Sequence, residues 1–452
     1  MYRIDKLSAS HQGFTGGVQV AALQALLEDD EIELICRQVG HRWRKRIFTP
    51  AVTVRSMVHR ALNPDKSIRA TLADLAAADD RIEQVPADAS WCEARSRLPE
   101  ALWAGLLEHS IRRLEELASE GDFYDQKPVY LIDGSTLSMP DTPELAAHFG
   151  YSGTAYGPSY FPVAKLTLVI RAGLQGVWDY RIDDHQTSEH AQLHQMWDRL
   201  PSGSVCIFDN QLSTFYNLAK LQQRGIDVVA PLHHHRDPHK LISQGQPLGP
   251  DEWLVAFELW PHRRKQYDDP SLPRRLPVRL IRVEIVVHDE PTVIWLVTTL
   301  LDARRHRREE VVDLYRQRWG IETRIGELKT SLRMNVLRGK GVRAVRYEVA
   351  ATILAYNLLR TLICHAARQA DIPPDRISFT AAVKMVLAYS LPLRLCEASQ
   401  RPTIYARMLH EIARSRVPYR PGRIEPRCIK RWGSTYPRLK RPRHLARGKC
   451  LS

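Results

Sequence analysis

A mixed α/β sheet core, preceded by helices and followed by a helical, basic end, is the architecture that this 452-residue sequence predicts. Three observations carry it. Residues 18–120 repeat apolar side chains at helical spacing, short apolar runs of strand type begin at Pro128, and charge is unevenly spread. Lys and Arg number 65 against 51 Asp and Glu, a formal charge of +14. Residues 401–452 hold 15 of those cations against Glu411 and Glu425, so the rest of the chain is near neutral. A near-neutral body with a basic end points to a polyanionic partner. At 44% apolar content the chain can pack two or three domains.

In the N-terminal third, Val18–Leu27, Val54–Leu62 and Ile68–Ala76 read as helices from three- and four-residue apolar spacing. Ser90 is a suitable N-cap for Trp91–Leu98, and Pro99 a first-turn proline for Glu100–Ala118, which Gly121 ends. Basic residues dot this region (Arg42, Arg44, Lys45, Arg46, Arg55, Arg60), and a solvated helical surface is the simpler reading of them. From Pro128 the character changes. Val129–Ile132 is a buried-strand run ending in Asp133-Gly134; Phe161–Arg171 and Gly176–Ile182 are strand-like; Ser188–Leu200 is helical. Gly203–Phe208 is another strand, ending at Asp209, followed by helix Thr214–Arg224 and strand Ile226–Leu232. The order β-β-β-α-β-α-β is that of a mixed sheet.

The helix pattern vanishes from Asp237 to Leu301, where Val278–His288 and Thr292–Leu301 read as a hairpin within a β insertion. Arg307–Leu332 reads as one long helix and Ala344–Ala367 as an apolar one. After Pro373-Pro374 a helical stretch leads into the basic tail, which reads as loosely ordered. No uncharged run approaches the ~20 apolar residues of a membrane span, and Met1–Lys6 has no signal core, so a cytoplasmic protein without a membrane partner is expected. The seven cysteines are dispersed with no C-x-x-C pair, which argues against a disulfide framework or thiolate zinc site.

Three acids stand out. Asp133 and Asp209 each close an apolar strand run, so each should emerge at a strand tip or edge. There an unpaired charge is costly and a shared cation relieves the cost. An N-cap or Asx turn is the ordinary alternative for either residue alone. On the helix 307–332, Tyr315, Arg318, Glu322 and Lys329 fall at about 0°, −60°, −20° and −40° for roughly 100° per residue. A phenol, a guanidinium, a carboxylate and an ammonium thus share one stripe. An exposed ion-paired face is the alternative, although Gly320 costs about 1 kcal/mol relative to Ala in a helix.

The set Tyr315, Arg318, Glu322 and Lys329 resembles the YREK signature of bacterial insertion-sequence transposases of the type named after insertion sequence four. Residues 131–143, the Asp209 segment and Ala355-Tyr-Asn-Leu-Leu-Arg360 are similar to the same family, as, more loosely, is Cys92–Leu98. The resemblance implies an RNase H-like mixed-sheet catalytic core interrupted by a β-strand insertion. On that reading a helical N-terminal domain that recognises end DNA spans 1–125 and the core spans 126–236 and 302–370. The insertion spans 237–301, and the C-terminal helical region and basic tail 371–452.

The same resemblance implies an Asp-Asp-Glu triad of Asp133, Asp209 and Glu322 holding two Mg²⁺ ions, for which Mn²⁺ substitutes. Carboxylates are the hard oxygen ligands that such ions prefer. One ion would activate water or a DNA 3′-OH and the other would stabilise the leaving oxygen, with a hairpin intermediate in relatives. Arg318 and Lys329 would hold DNA phosphates, and Tyr315 would bond a phosphate or orient Glu322. Trp295 sits within one residue of a tryptophan with which a relative stacks a flipped base; a buried strand tryptophan is the alternative. The implied partners are double-stranded DNA, as terminal inverted repeats and target, and a second copy of the chain in a synaptic dimer. The implied setting is the nucleoid.

One departure is Asn210-Gln211-Leu212 after Asp209, where close relatives carry Arg and an aromatic residue. An inactive inverted-repeat-binding derivative and an RNase H-like junction nuclease are the other functions considered. His233-His234-His235 with His239 invites a metal reading, but consecutive strand side chains alternate in direction, and a DNA-facing loop is the better expectation. His190 and His194 lack the H-E-x-x-H order of a metalloprotease.

Overall fold

The computed structural model describes residues 21–418, apart from 25, 45, 79–81, 155–156, 260–266 and 288–289. The basic tail from 419 onward therefore lies outside the described residues, as does most of 1–27. One sheet frames the molecule. Its strands are β1 (Lys127–Ser138), β2 (Val163–Arg171), β3 (Gly176–Asp183), β4 (Val205–Ile207) and β5 (Asp227–Pro231). β6 (Gln246–Gly249), β7 (Glu252–Glu258), β8 (Arg275–Val287) and β9 (Glu290–Thr298) follow. Their spatial order is β3-β2-β1-β4-β5-β9-β8-β7-β6. β1 lies antiparallel to β2 and parallel to β4, and β4 is parallel to β5. This 3-2-1-4-5 pattern is the RNase H-like core.

The parallel pairs require helical crossovers. Ser188 caps α7 (Glu189–Met196) by accepting from the Ala191 amide at 3.2 Å, and Thr214 caps α8 (Phe215–Gln223) through the Asn217 amide at 3.3 Å. The insertion does not form a separate layer. β9 pairs with β5, Val297 opposite Ala230, so the hairpin β8–β9 extends the same sheet. A short helix, α9 (Pro238–Ser243), interrupts the stretch expected to lack helix, because Asp237 caps it and Pro238 starts it. Six residues are too few for periodicity to reveal.

Side chains of alternating strand residues divide the interior in two. One cluster contains Leu131, Leu137, Leu166, Leu168, Ile207 and Leu296. The other, on the opposite face under α7 and α8, contains Tyr130, Ile132, Val169, Cys206, Val228 and Val297. The first cluster is continuous with the N-terminal helices α1 (Asp29–Gln38), α2 (Pro50–Leu62), α3 (Ile68–Ala76), α4 (Asp88–Arg97) and α5 (Glu100–Glu115). Helix α4 starts at Asp88 with Ala87 at its cap, earlier than Ser90 suggested. The expected helix 18–27 is described only as the turn Ala21–Gln24, and Glu28 then caps α1, which apolar spacing did not disclose.

The stretch 307–332 is not one helix. It forms α10 (Arg308–Arg316), α11 (Trp319–Gly326) and a wide π turn over Glu327–Ser331. At the junction the amides of Gln317 and Arg318 donate to Leu314 and Tyr315, three residues back, so the backbone tightens before α11 begins. Beyond it α12 (Val342–Gln369) runs through the centre against α2, α5 and β3, followed by α13 (Phe379–Leu395) and α14 (Arg401–Arg414). Helix α12 is long and apolar enough to cross a membrane by composition, but 94% of its most apolar stretch is buried inside the protein. Packing accounts for its apolarity.

Candidate active site

Asp133 does not end its strand. β1 runs on to Ser138 because β2 keeps pairing as far as Ser138 opposite Val163, with Asp133 opposite Leu168. The parallel partner β4 stops at Ile207, opposite Leu131. Asp133 therefore stands where one neighbour has been withdrawn, half-buried, its Oδ1 accepting the Gly134 amide at 2.8 Å. Asp209 follows β4 by two residues. Its Oδ1 accepts the Gln211 and Leu212 amides at 3.0 and 3.2 Å, the Asx turn considered as its ordinary role. Leu212, at the departure from the family pattern, is buried in the second core cluster, so an apolar core contact is what the residue supplies there.

Glu322 is on α11, its side chain 56% exposed and 3.2 Å from Arg318 Nη2. These residues meet electrostatically. Burial raises the Asp133 carboxyl above the usual range; Asp209 and Glu322 raise it further, while Arg318 and the Gly134 amide oppose them. The buried Tyr315 hydroxyl is raised by burial and held down by Arg318, which donates to it, with Asp209 and Glu322 also in range. Asp133, Asp209, Glu322, Tyr315 and Arg318 thus form one neighbourhood, despite the break between α10 and α11.

Lys329 is on the π turn, apart from that group. Its ammonium donates to Ser135 Oγ at 3.0 Å and is depressed by burial. Ser135 shares the β1 face of Asp133, one pleat repeat further on. Trp295 is not brought to this place. It is on β9, three strands from β1 or roughly 14 Å at ~4.8 Å per strand, and packs with the opposite face's cluster. Its ring neighbours are Trp253 at 5.9 Å and His239 at 6.1 Å.

One acid near the site was missed. Glu189 is raised by burial and then by Asp209 and Asp133. A Cβ at Gly134 would lie 2.2 Å from its Oε1, so this carboxylate occupies the space a side chain would take. As the first residue of a helix its sequence signal is merely dipole compensation. The histidines resolve differently from expectation. A bend after β5 stacks the rings of His233, His234 and His235 within 4.0–5.1 Å of one another, so alternation does not separate them. Asn217 bridges His190 Nδ1 at 3.0 Å and His194 Nε2 at 3.1 Å.

Among the described residues no three His, Cys, Asp or Glu side chains are placed to hold a metal ion. Asp133, Asp209 and Glu322 nonetheless supply the oxygen donors a hard divalent cation takes, and the raised Asp133 carboxyl is what such a charge relieves. Arg318 claims the Glu322 carboxylate instead.

The mixed-sheet core thus carries Asp133 within β1, Asp209 just past β4 and Glu322 on a helix after the β insertion. Residues 124–358 match the family described as transposase DDE domain, and the chain belongs to that family, whose members cleave and transfer DNA strands. It is similar to the transposase InsG for insertion sequence element IS4 of Escherichia coli (strain K12), 26% identical over 312 residues, 68% of each chain. It is also similar to a probable transposase for insertion sequence element IS5377 of Geobacillus stearothermophilus, 22% identical over 385 residues, covering 82% of this chain and 91% of that one. A solved piggyBac transposase synaptic complex with hairpin DNA matches at TM-score 0.45 and 10% identity, covering 87% of this chain and 85% of that one.

Proposed function

We propose that this protein is the transposase of an insertion sequence and that Asp133, Asp209 and Glu322 carry its chemistry. What supports this reading is the match of residues 124–358 to the transposase DDE domain, with Asp133 within β1, Asp209 just past β4 and Glu322 on α11 against Arg318. In the reaction, water attacks a phosphodiester at the element end, the P–O bond to the 3′ oxygen breaks, and a 3′-OH is freed. That hydroxyl then attacks a target phosphodiester, displacing the neighbouring 3′ oxygen. Before target capture the 3′-OH attacks the opposite strand, forming a hairpin on the element end and expelling the flanking DNA's 3′ oxygen, and a second water then opens the hairpin and returns the 3′-OH. Divalent cations held by the three carboxylates, Mg²⁺ with Mn²⁺ as substitute, would lower the nucleophile's pKa and neutralise the leaving oxygen.

The chain's own residues do the rest. Arg318 holds the Glu322 carboxylate and the Tyr315 hydroxyl together, and releases the carboxylate when a phosphate takes its guanidinium. Lys329 contributes a cation beside β1 with no carboxylate in ion-pair range among the described residues, suited to the DNA backbone. Trp295, with Trp253 and His239, offers a stacking surface on the other face of the sheet. The N-terminal helices 1–125 read the terminal inverted repeats, and two copies join two ends in a nucleoid-bound, cytoplasmic complex.

The test is cleavage of a duplex bearing an element end, with Mg²⁺. Asp133→Asn, Asp209→Asn and Glu322→Gln should each lose nicking and joining by at least ~10³-fold, of the order of removing a transition-state charge interaction, while end binding persists. Binding without nicking by the wild type would assign an inactive end-binding derivative. Cleaved branched DNA with no joined product would assign a junction nuclease.

A further inference from the structure

Helices α2 and α4 place two guanidiniums against one indole. The Arg60 and Arg95 Cζ atoms lie 5.2 and 5.1 Å from the ring centroid of Trp91. Trp91 is 1% exposed and fixed by its Nε1–H, which donates to Ser56 Oγ at 2.6 Å. Both arginines are half-buried, yet neither has a carboxylate partner among the described residues, and the Arg60 Nε is buried with no hydrogen-bond acceptor. The nearby acid is already engaged: Glu348 accepts from Arg338 Nε at 3.3 Å and from the Arg338 and Gly339 amides at 2.9 and 2.8 Å. Burial pushes Arg60 down to about 10, with Arg338 and Arg95 adding to the effect.

Like charges held together away from water are unfavourable unless an anion joins them, and the indole face offsets only part of that cost. The two arginines, Arg338 and Lys329 line one cavity of about 510 Å³. Lys329 in turn reaches Ser135, two residues along β1 from Asp133. The cavity therefore runs from the N-terminal helices to Lys329, whose ammonium contacts the strand that carries the first acid.

We propose that the Arg60–Arg95 pair is a phosphate-binding site that holds one backbone phosphodiester of the DNA whose scissile bond lies at Asp133. The assignment rests on the transposase reading above. It gives the N-terminal helices a sequence-independent clamp, with a planar donor fork from each arginine and the indole fixing their orientation.

The experiment measures anisotropy of a labelled element-end duplex in EDTA across a salt series, with Arg60→Gln, Arg95→Gln and, as control, Arg414→Gln on the exposed face of α14. Each of the first two should weaken binding several-fold and reduce the slope of log K against log salt by about 0.9, one phosphate contact. Arg414→Gln should leave the slope unchanged. Wild-type slopes in both cavity variants overturn the site while leaving the transposase reading standing; a wild type that does not bind DNA overturns both. Should a variant fail to fold, phenylglyoxal modification of the wild type, read by mass spectrometry, decides the point. Duplex DNA should slow modification of Arg95 relative to Arg414. Equal rates, or equal protection by inorganic phosphate at the same phosphate concentration, overturn the assignment to DNA.

Discussion

Replacing Glu327 by alanine should remove about 3–5 kcal/mol of folding stability, the scale for breaking a buried ion pair by deleting one partner. Glu327 opens the π turn directly behind the helix of Glu322, and its side chain is 13% exposed. It accepts from Arg324 Nη1 at 3.0 Å, from the Tyr356 hydroxyl at 3.1 Å and from Arg360, whose side chain is 0% exposed. After truncation both guanidiniums still share Gln175 Oε1, at 2.7 Å from Arg324 and 2.8 Å from Arg360. They are then two cations on neutral acceptors, Gln175, the Gly320 carbonyl and the Tyr356 hydroxyl, with Asp375 the one remaining acid acting on Arg324. Against a typical total of about 5–15 kcal/mol the loss is large, so the urea midpoint at neutral pH should fall by a third or more at constant m-value. Glu327→Gln, which keeps an acceptor and drops the charge, should lie between. A change below about 1 kcal/mol for the alanine variant would show that water reaches Arg360 and would falsify the claim that Glu327 anchors the base of α11.

Lys329→Ala should weaken end-DNA binding and flatten its salt slope by about one contact, read by the same anisotropy series; an unaltered slope removes Lys329 from the DNA path. His59, 2% exposed, is pushed down to about 4, chiefly by burial and then by Lys66, despite Asp74 at 3.2 Å. The folded state thus resists protonating it, and stability is full above about pH 6.5 and lost as pH falls toward 4, by about 3 kcal/mol in all. His59→Gln should remove that component from urea midpoints measured between pH 7 and 5, whereas an identical pH profile would refute it. Gly134→Ala should displace the Glu189 carboxylate at little cost in stability, because the colliding atom ends a flexible side chain. A melting temperature lowered by more than ~2–4 °C, the shift expected for about 1 kcal/mol in a domain of about 150–250 residues, would mean that Glu189 is held rigidly.

The core strands and crossovers were legible in the sequence because continuous apolar runs in this order have few packings; Asp209 does follow its strand, whereas Asp133 lies within β1, because β2 pairs on past the point where β4 stops. The stripe of Tyr315, Arg318 and Glu322 was legible for the wrong reason in part. A single continuous helix does not exist, yet Tyr315, Arg318 and Glu322 stay together because the junction tightens the backbone without reversing it. Lys329, on the π turn, leaves the stripe for Ser135. Arg55 and Arg60 were read with the solvated basic surface, but Arg55 is 9% exposed and 2.9 Å from Asp29, and Arg60 lies on Trp91.

Sequence alone determined which residue types follow the apolar runs of β1 and β4 and occupy the face of α11, since composition and local period are properties of the chain. Tertiary structure decided what those groups face: Trp295 on the far side of the sheet, Glu189 over Gly134, Glu322 on Arg318, and two arginines on one indole. Local periodicity fixes a side chain's direction about its own axis, and only the packing of one element on another sets the distance between charges on which their energies depend.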